Sequence, residues 1–571
     1  MPMNFQERAN DIWNIANLLR GYYKQHDYGK VILPFTVLRR FDELLEPTKS
    51  KVLAEYAKIK GQKPEVIEQR LNIKSGFRFH NHSKFTMETL VKDADGLQPN
   101  LRNYINGFSA HAKEVFEYFE FDKQIAKLSD GNLLYLVTKE FSEKSYKDLK
   151  DLEMGYVFEH LIRKFAEISN ETAGEHFTPR EIIELMVNIL FEEDNAILRK
   201  KGIVRTLYDP ACGTGGMLSV ADMHLKQLNP DARLELFGQE INPESYAICK
   251  AEMLIKDQNP NQVKFGNTFT KDGLPKEHFD YMLSNPPFGV EWKKEQGFIK
   301  KEHEGLGFAG RFGAGLPRIN DGSLLFLLHM MSKMKNNDTG SRLGIIFNGS
   351  PLFNGSAGSG ESEIRKWIFE NDFLETIIAL PDQLFYNTGI STYLWIVTNR
   401  KNKVRKKKVQ LINAVSFCVD MMRSLGSKRK KISDEQIEEI TRLYGKFKEG
   451  KYCKIFDNAD FGYHRITVER PKANEKGKPV QDKKGHPVPD SEWRDYENIP
   501  LKEDIQTYFE REVLPNVPGA WIDHSKTRVG YEINFTKYFY EFKPLRSLEE
   551  IRADILKLEQ ETEGIMERVI E

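Results

Sequence analysis

Over the first 165 or so residues, apolar positions recur at the three- and four-residue spacing of helices. Ile12, Ile15, Leu19 and Tyr22 form one stripe, and Phe35, Leu38, Phe41 and Leu45 form another. The pattern predicts a helical N-terminal domain over residues 1–165. A polar stretch, ISNETAGEHFTPRE at 168–181, interrupts it before EIIELMVNILF resumes the period, with Pro179 placed where a new helix can begin. From about 200 to 415 the runs IVRTLYD, LELFGQEI, YMLSN, RLGIIF, LETIIAL and TYLWIV are short and β-rich. Helical stretches such as SLLFLLHMMSKMK separate them, so a mostly parallel sheet flanked by helices is expected, in an α/β domain spanning 166–471. Residues 472–490 are rich in Lys, Gly and Pro without periodicity and read as an exposed loop or linker. What remains, 491–571, is expected to be a helical C-terminal region. It closes on a capping-box pattern, Ser547 with Glu550, followed by a heptad-like seam of Leu548, Ile551, Ile555, Leu558, Thr562, Ile565 and Val569. Such a seam either meets a partner or packs on its own chain.

Composition narrows the class. At 571 residues, 40% hydrophobic and 29% charged, the chain can bury a large core divided among several domains. Lys plus Arg and Asp plus Glu both total 84, so any basic surface is local. Two local runs stand out: seven basic residues among the nine at 400–408, and KRKK at 428–431. Either could meet phosphates, or the first could be a solvated hairpin turn between the strands TYLWIV and VQLINA. No run approaches the 18 apolar residues of a membrane span, and the N-terminus lacks a signal-peptide core, so a cytoplasmic protein is expected. Cys212, Cys249, Cys418 and Cys453 are widely spaced, which predicts reduced thiols and no metal site.

The candidate chemistry begins at 206–217, TLYDPACGTGGM, where a strand ends in Asp209 and enters a glycine-rich turn before a helix. Gly213, Gly215 and Gly216 allow tight turning and close approach of a nucleotide-like cofactor to the backbone. No G-K-[ST] follows, so this is not an ATP-binding P-loop. The next strand ends in Glu240, where a nucleotide-binding sheet places an acid for ribose hydroxyls. In FDYMLSNPPFGV, a strand runs into Asn285, Pro286, Pro287 and Phe288. The prolines fix φ and leave rigid carbonyl acceptors beside an aromatic face. An Asn carbonyl and a Pro carbonyl can accept both hydrogens of an exocyclic amine and turn its lone pair toward an electrophilic methyl group.

D-P-A-C-G-T-G-G followed by N-P-P-F resembles the amino-group DNA methyltransferases that use S-adenosylmethionine, and GEHFTPRE resembles the cofactor segment preceding the glycine motif in their γ-ordered members. More closely, the chain resembles the modification (M) subunit of type I restriction-modification systems, through KVILPFTVLRRFDELLEP, DGSLLFLLHM, LPDQLFYNTGISTYLWIV and VGYEINFTKYFY. The resemblance implies a Rossmann-like methyltransferase domain between the helical N-terminal domain and a C-terminal helical extension. It implies that S-adenosylmethionine is held by Glu175, His176, Phe177, Thr178, Pro179, Arg180, Asp209, Gly213, Thr214, Gly215 and Glu240, and that Asn285 to Phe288 hold a flipped adenine. Asn267 stands where relatives often have an Asp near the cofactor adenine, and Asn320 to Ser323 resemble a segment lining the cofactor pocket. The implied partners are duplex DNA, a specificity (S) subunit shared with a second M subunit, and a restriction (R) subunit in the full complex. Adenine N6 is the expected target. N4-cytosine methylation needs the same geometry but is commonly associated with Ser at the first position. C5 methylation is disfavoured because no cysteine follows a Pro. The N-P-P motif also admits protein-glutamine methylation, and the cofactor motifs admit a non-catalytic scaffold that binds S-adenosylmethionine.

Overall fold

The computed structural model describes residues 5–169, 178–386, 388–474, 479–540 and 547–570. These divide into one large unit ending at Ile533 and a small unit beginning at Asn534.

The large unit is built on a nine-stranded sheet. Its parallel half contains β1 (Val204–Asp209), β2 (Arg233–Glu240), β3 (Val263–Phe265), β4 (Tyr281–Ser284) and β5 (Arg342–Phe347), joined in the order β5-β4-β1-β2-β3. The order reverses between β1 and β4, and that switch point opens a crevice beyond their carboxyl ends. The other half adds β6 (Leu374–Ala379), β7 (Tyr393–Thr398) and β8 (Lys408–Asn413), with β7 inserted antiparallel between β5 and β6. All six strands expected from the apolar runs form. However, β6 lies between β7 and β8, so residues 399–407 are not a hairpin turn but a connection across β6. Ion pairs hold three of its basic residues in place: Arg400 with Asp194, Lys401 with Asp372 and Arg405 with Glu193.

A two-stranded hairpin follows, β9 (Val419–Leu425) with β10 (Lys428–Lys431), before β11 (Cys453–Asp457) completes the edge of the large sheet. Then β12 (Gly462–Glu469) pairs with β13 (Asp495–Pro500), β14 (Trp521–Ile522) and β15 (Arg528–Tyr531) in a second, small sheet. Residues 491–533, expected to be helical, thus supply three strands. Their sequences have little apolar periodicity, and β13 is mostly exposed; ladder hydrogen bonds to β12 hold them. Between β12 and β13, the described part of 472–490 is an exposed arm closed by isolated bridges such as Gln481 with Pro487.

The N-terminal region is helical, as its stripes predict, and its central helix Gly29–Leu45 is buried along nearly its whole length. It shares its core with the sheet domain. Helix Pro243–Ile255 starts at the Asn242 cap, which accepts from the Ser245 amide at 3.0 Å, and every residue from Ser245 to Ile255 is buried. One face, with Tyr246, Cys249 and Met253, joins the core of the sheet. The other, with Ala247, Ile248, Ala251, Leu254 and Ile255, joins the core of the N-terminal helices. In the small unit, helix Leu548–Ile570 begins with the expected capping box: Ser547 and Glu550 exchange backbone-to-side-chain bonds of 3.0 and 3.2 Å.

Candidate active site

The carboxyl ends of β1, β2 and β4 converge on one cavity of about 530 Å³. At the end of β1 the chain turns left-handed twice, at Gly213 (φ 53°) and Gly215 (φ 87°), and enters helix Gly216–Leu228. A Cβ on Gly215 would stand 2.9 Å from Cys249 Sγ, so glycine is required there by both backbone and space. The Cys212 amide donates to the Gln239 carbonyl at 3.0 Å, tying the turn to β2. Glu240 completes the tie. Its Oε2 accepts from the Gly213 amide at 2.8 Å, and its Oε1 accepts from the Ile241 and Asn242 amides at 2.9 and 2.7 Å.

Asp209 is 2% exposed. Burial pushes its carboxyl up to about 7, the nearby Glu240 adds to the rise, and hydrogen bonds from the Ala211 amide (2.9 Å) and the Ser284 hydroxyl (3.0 Å) offset part of it. The Ser284 bond joins the ends of β1 and β4 and brings Asn285 to the same cavity. Asn285 Nδ2 donates to Thr178 Oγ1 at 3.0 Å, whereas its Oδ1 is buried without a hydrogen-bond partner among the described residues. Leaving a buried acceptor unpaired costs about 1–3 kcal/mol, a cost that a donor on a ligand in the cavity would relieve.

Of the residues singled out from sequence, Thr178, Asp209, Gly213, Thr214, Glu240, Asn267, Asn285 and Pro287 line the cavity. Asn267 Nδ2 donates to Glu295 at 3.0 Å and its Oδ1 caps the Phe269 amide at 2.8 Å. Gly322 of the segment 320–323 also lines it. Gly215 lies just behind the wall as the helix cap. Pro179 caps helix Arg180–Glu192, and the Arg180 guanidinium packs over the Tyr156 ring rather than on the cavity. Pro286 is buried, and Phe288 sits beside the cavity with its ring edge-on to Phe385, 6.1 Å between centroids. Glu175, His176 and Phe177 lie outside the described residues.

Sequence reasoning missed several wall residues. Ile183, Trp292, Glu295 and Phe326 come from distant elements, and Glu159 comes from the N-terminal helix Asp151–Ser169. Burial pushes the Glu159 carboxyl up to about 7. Phe326 and Ile183 lie in helical segments read only for their apolar period, and the other residues carry no motif; the turns of the chain bring them together. Ser284, which bonds Asp209 from behind the wall, was the one with a sequence signal: it ends the buried strand just before Asn285, where a hydroxyl needs a partner.

The cavity suits a ligand with a nucleoside and an amino-acid part. It is large enough, has apolar walls at Ile183, Met217 and Phe269, and holds acids at two strand ends. Among the described residues no group of His, Cys, Asp or Glu could hold a metal ion.

Comparison with known proteins fits this arrangement. Residues 149–468 match the N-6 DNA Methylase family model, and residues 8–141 match that of the HsdM N-terminal domain. The chain is similar to the methylase subunit of the type I restriction enzyme MjaIX of Methanocaldococcus jannaschii, 26% identical over 467 residues covering 78% of each chain. It is 24% identical to the MpnII methylase subunit of Mycoplasma pneumoniae over 77% of this chain and 83% of that one. Its fold is similar to that of a type I methyltransferase subunit from Streptococcus thermophilus. There the TM-score is 0.63 at 24% identity, covering 80% of this chain and 97% of that one.

Proposed function

The chain belongs to the N-6 DNA methylase family, and on that footing we propose that it is the modification subunit of a type I restriction-modification system. Its reaction is methyl transfer from S-adenosylmethionine to adenine N6 in DNA. The observation that carries the residue assignment is Asn285 Oδ1, a buried acceptor without a partner among the described residues, in the same cavity as Asp209 and Glu240.

When bound, S-adenosylmethionine supplies a methyl group made electrophilic by its sulfonium. Asn285 Oδ1 and the Pro286 carbonyl accept the two hydrogens of adenine N6, directing the nitrogen lone pair at that methyl. As the N–C bond forms and the C–S bond breaks, the N6 proton passes to solvent. Phe288 and Pro287 hold the ring of the extruded base. Glu240 accepts from ribose hydroxyls, and Thr178, Gly213, Thr214 and Asn267 complete the cofactor cradle. Asp209 lines that cradle from the end of β1, Gly215 shapes it from behind, and Glu175, His176, Phe177, Pro179 and Arg180 belong to the segment that includes Thr178.

Two copies act with one specificity subunit on duplex DNA, and a restriction subunit joins for cleavage. Three things support the assembly: the match to the HsdM N-terminal domain, the similarity to methylase subunits of type I enzymes, and the terminal helix. The seam residues Leu548, Ile551, Ile555 and Leu558 are exposed and form the proposed contact with the specificity subunit. We assign the protein to the cytoplasm, where its substrate lies; among the described residues no helix is long and apolar enough to cross a membrane.

The test is methylation of genomic DNA by the purified chain with labelled S-adenosylmethionine, with and without the specificity subunit, quantifying N6-methyladenine and N4-methylcytosine separately. N6-methyladenine formed only with the partner supports the reading; activity of the chain alone refutes the need for the partner. Asn285→Ala abolishes methylation, a loss of at least about 100-fold, while cofactor binding and assembly persist. A scaffold would keep the complex methylating.

A further inference from the structure

The hairpin β9–β10 carries the basic run KRKK at 428–431, which the cofactor cavity does not use. Along β10 the side chains alternate. Lys428 is 3% exposed and ion-paired with Glu181, and it donates to the Leu384 carbonyl at 2.9 Å. Lys430 is ion-paired with Asp382. Arg429 and Lys431, on the opposite face, are exposed, and their side chains make no ion pair or hydrogen bond among the described residues. Across the hairpin the register breaks: Lys428 pairs with Leu425 and Lys430 with Asp420, so the four residues 421–424 face Arg429 alone. This bulge presents Arg423, likewise exposed and unpaired among the described residues, beside Arg429. The exposed acid on β9 is Asp420, opposite the already paired Lys430.

The hairpin is anchored next to the reaction site. The Ser427 amide donates to the Tyr386 carbonyl at 2.8 Å and the Arg429 amide to the Gln383 carbonyl at 2.9 Å. Phe385 of that same loop meets the Phe288 ring. Glu181, which holds Lys428, is three residues beyond Thr178, the partner of Asn285.

Resting on the reading of the chain as a DNA methyltransferase, we propose that the outer face of this hairpin holds the DNA backbone beside the extruded base, through Arg423, Arg429 and Lys431. The anchored lysines fix the hairpin against Glu181 and the loop that carries Phe385, and the three outward cations neutralise phosphates without reading sequence. In the run 400–408, by contrast, Arg400, Lys401 and Arg405 are taken up by ion pairs within the fold.

The test is the salt dependence of binding to a fluorescein-labelled random-sequence duplex, measured on the wild-type complex with the specificity subunit and on Arg423→Gln/Arg429→Gln/Lys431→Gln. Each phosphate contact adds about 0.9 to the slope of log affinity against log salt, so the triple variant flattens it by about 2.7. The Arg423→Lys/Arg429→Lys variant keeps the wild-type slope. Titration with S-adenosylmethionine checks that the triple variant retains its fold. An unchanged slope overturns the proposal, as does loss of co-purification with the specificity subunit at unchanged slope, which would make the face a protein interface. Because binding is read without methylation, an inactive wild-type complex would refute the functional reading and leave this inference to stand or fall on the slope.

Discussion

Asp209 illustrates how much a single residue's meaning depends on its surroundings. As the acid that ends β1 before a glycine turn, it was identifiable in the sequence; its raised pKa was not, because burial in the fold causes it. A carboxyl at about 7 in the fold and near 3.8 in the unfolded chain makes the native state bind the extra proton between those values. Its contribution to stability is therefore fully present below about pH 4 and is lost as pH rises through about 7. Asp209→Asn removes that loss. The melting temperature of the variant relative to wild type, without cofactor, accordingly rises between pH 5 and pH 8; a difference independent of pH would contradict the assignment. Asn285 shows the converse. Its motif identified it, and the structure added why it is available: Thr178 occupies its amide nitrogen, and no described residue occupies its oxygen.

Among the elements, the glycine turn and the strand ends were the most legible, because their chemistry is local. Positive φ at Gly213 and Gly215 is a backbone requirement that a sequence displays directly. Gly215→Ala forces a side chain into the left-handed region and against Cys249 Sγ, at a cost of about 1–3 kcal/mol. Differential scanning calorimetry should show the lowered melting temperature, and isothermal titration a weaker hold on S-adenosylmethionine; a variant equal to wild type in both would rule out the strain. The strands β12 to β15 and the hairpin β9–β10 were not legible. The strands β12 to β15 have short, mixed sequences and exist because partners distant in the chain satisfy their backbone groups, while the hairpin β9–β10 pairs locally but is short and broken by a bulge. The hairpin turn expected at 400–408 does not form because β6 lies between β7 and β8, and the acids that engage Arg400 and Arg405, Asp194 and Glu193, lie some two hundred residues away in sequence.

For the whole molecule, the shared helix Pro243–Ile255 is decisive. Sequence periodicity separates a helical domain from a sheet domain, yet one helix contributes to the core of both. Glu114 of the N-terminal region strengthens the join by pairing with the buried Lys250 and accepting from Tyr246 at 3.0 Å. The N-terminal helices and the sheet should therefore unfold in a single calorimetric transition. Two resolved transitions would show that the cores are independent. By itself the sequence determined the helical start, the parallel strands, the glycine-rich turn and the Asn-Pro-Pro-Phe motif, because hydrophobic period and turn chemistry act over a few residues. Only the tertiary structure decided which acids and hydroxyls meet at the switch point, which basic residues face outward unpaired, and how the domains join. Those outcomes depend on burial and on pairing between residues far apart along the chain, which no local pattern records.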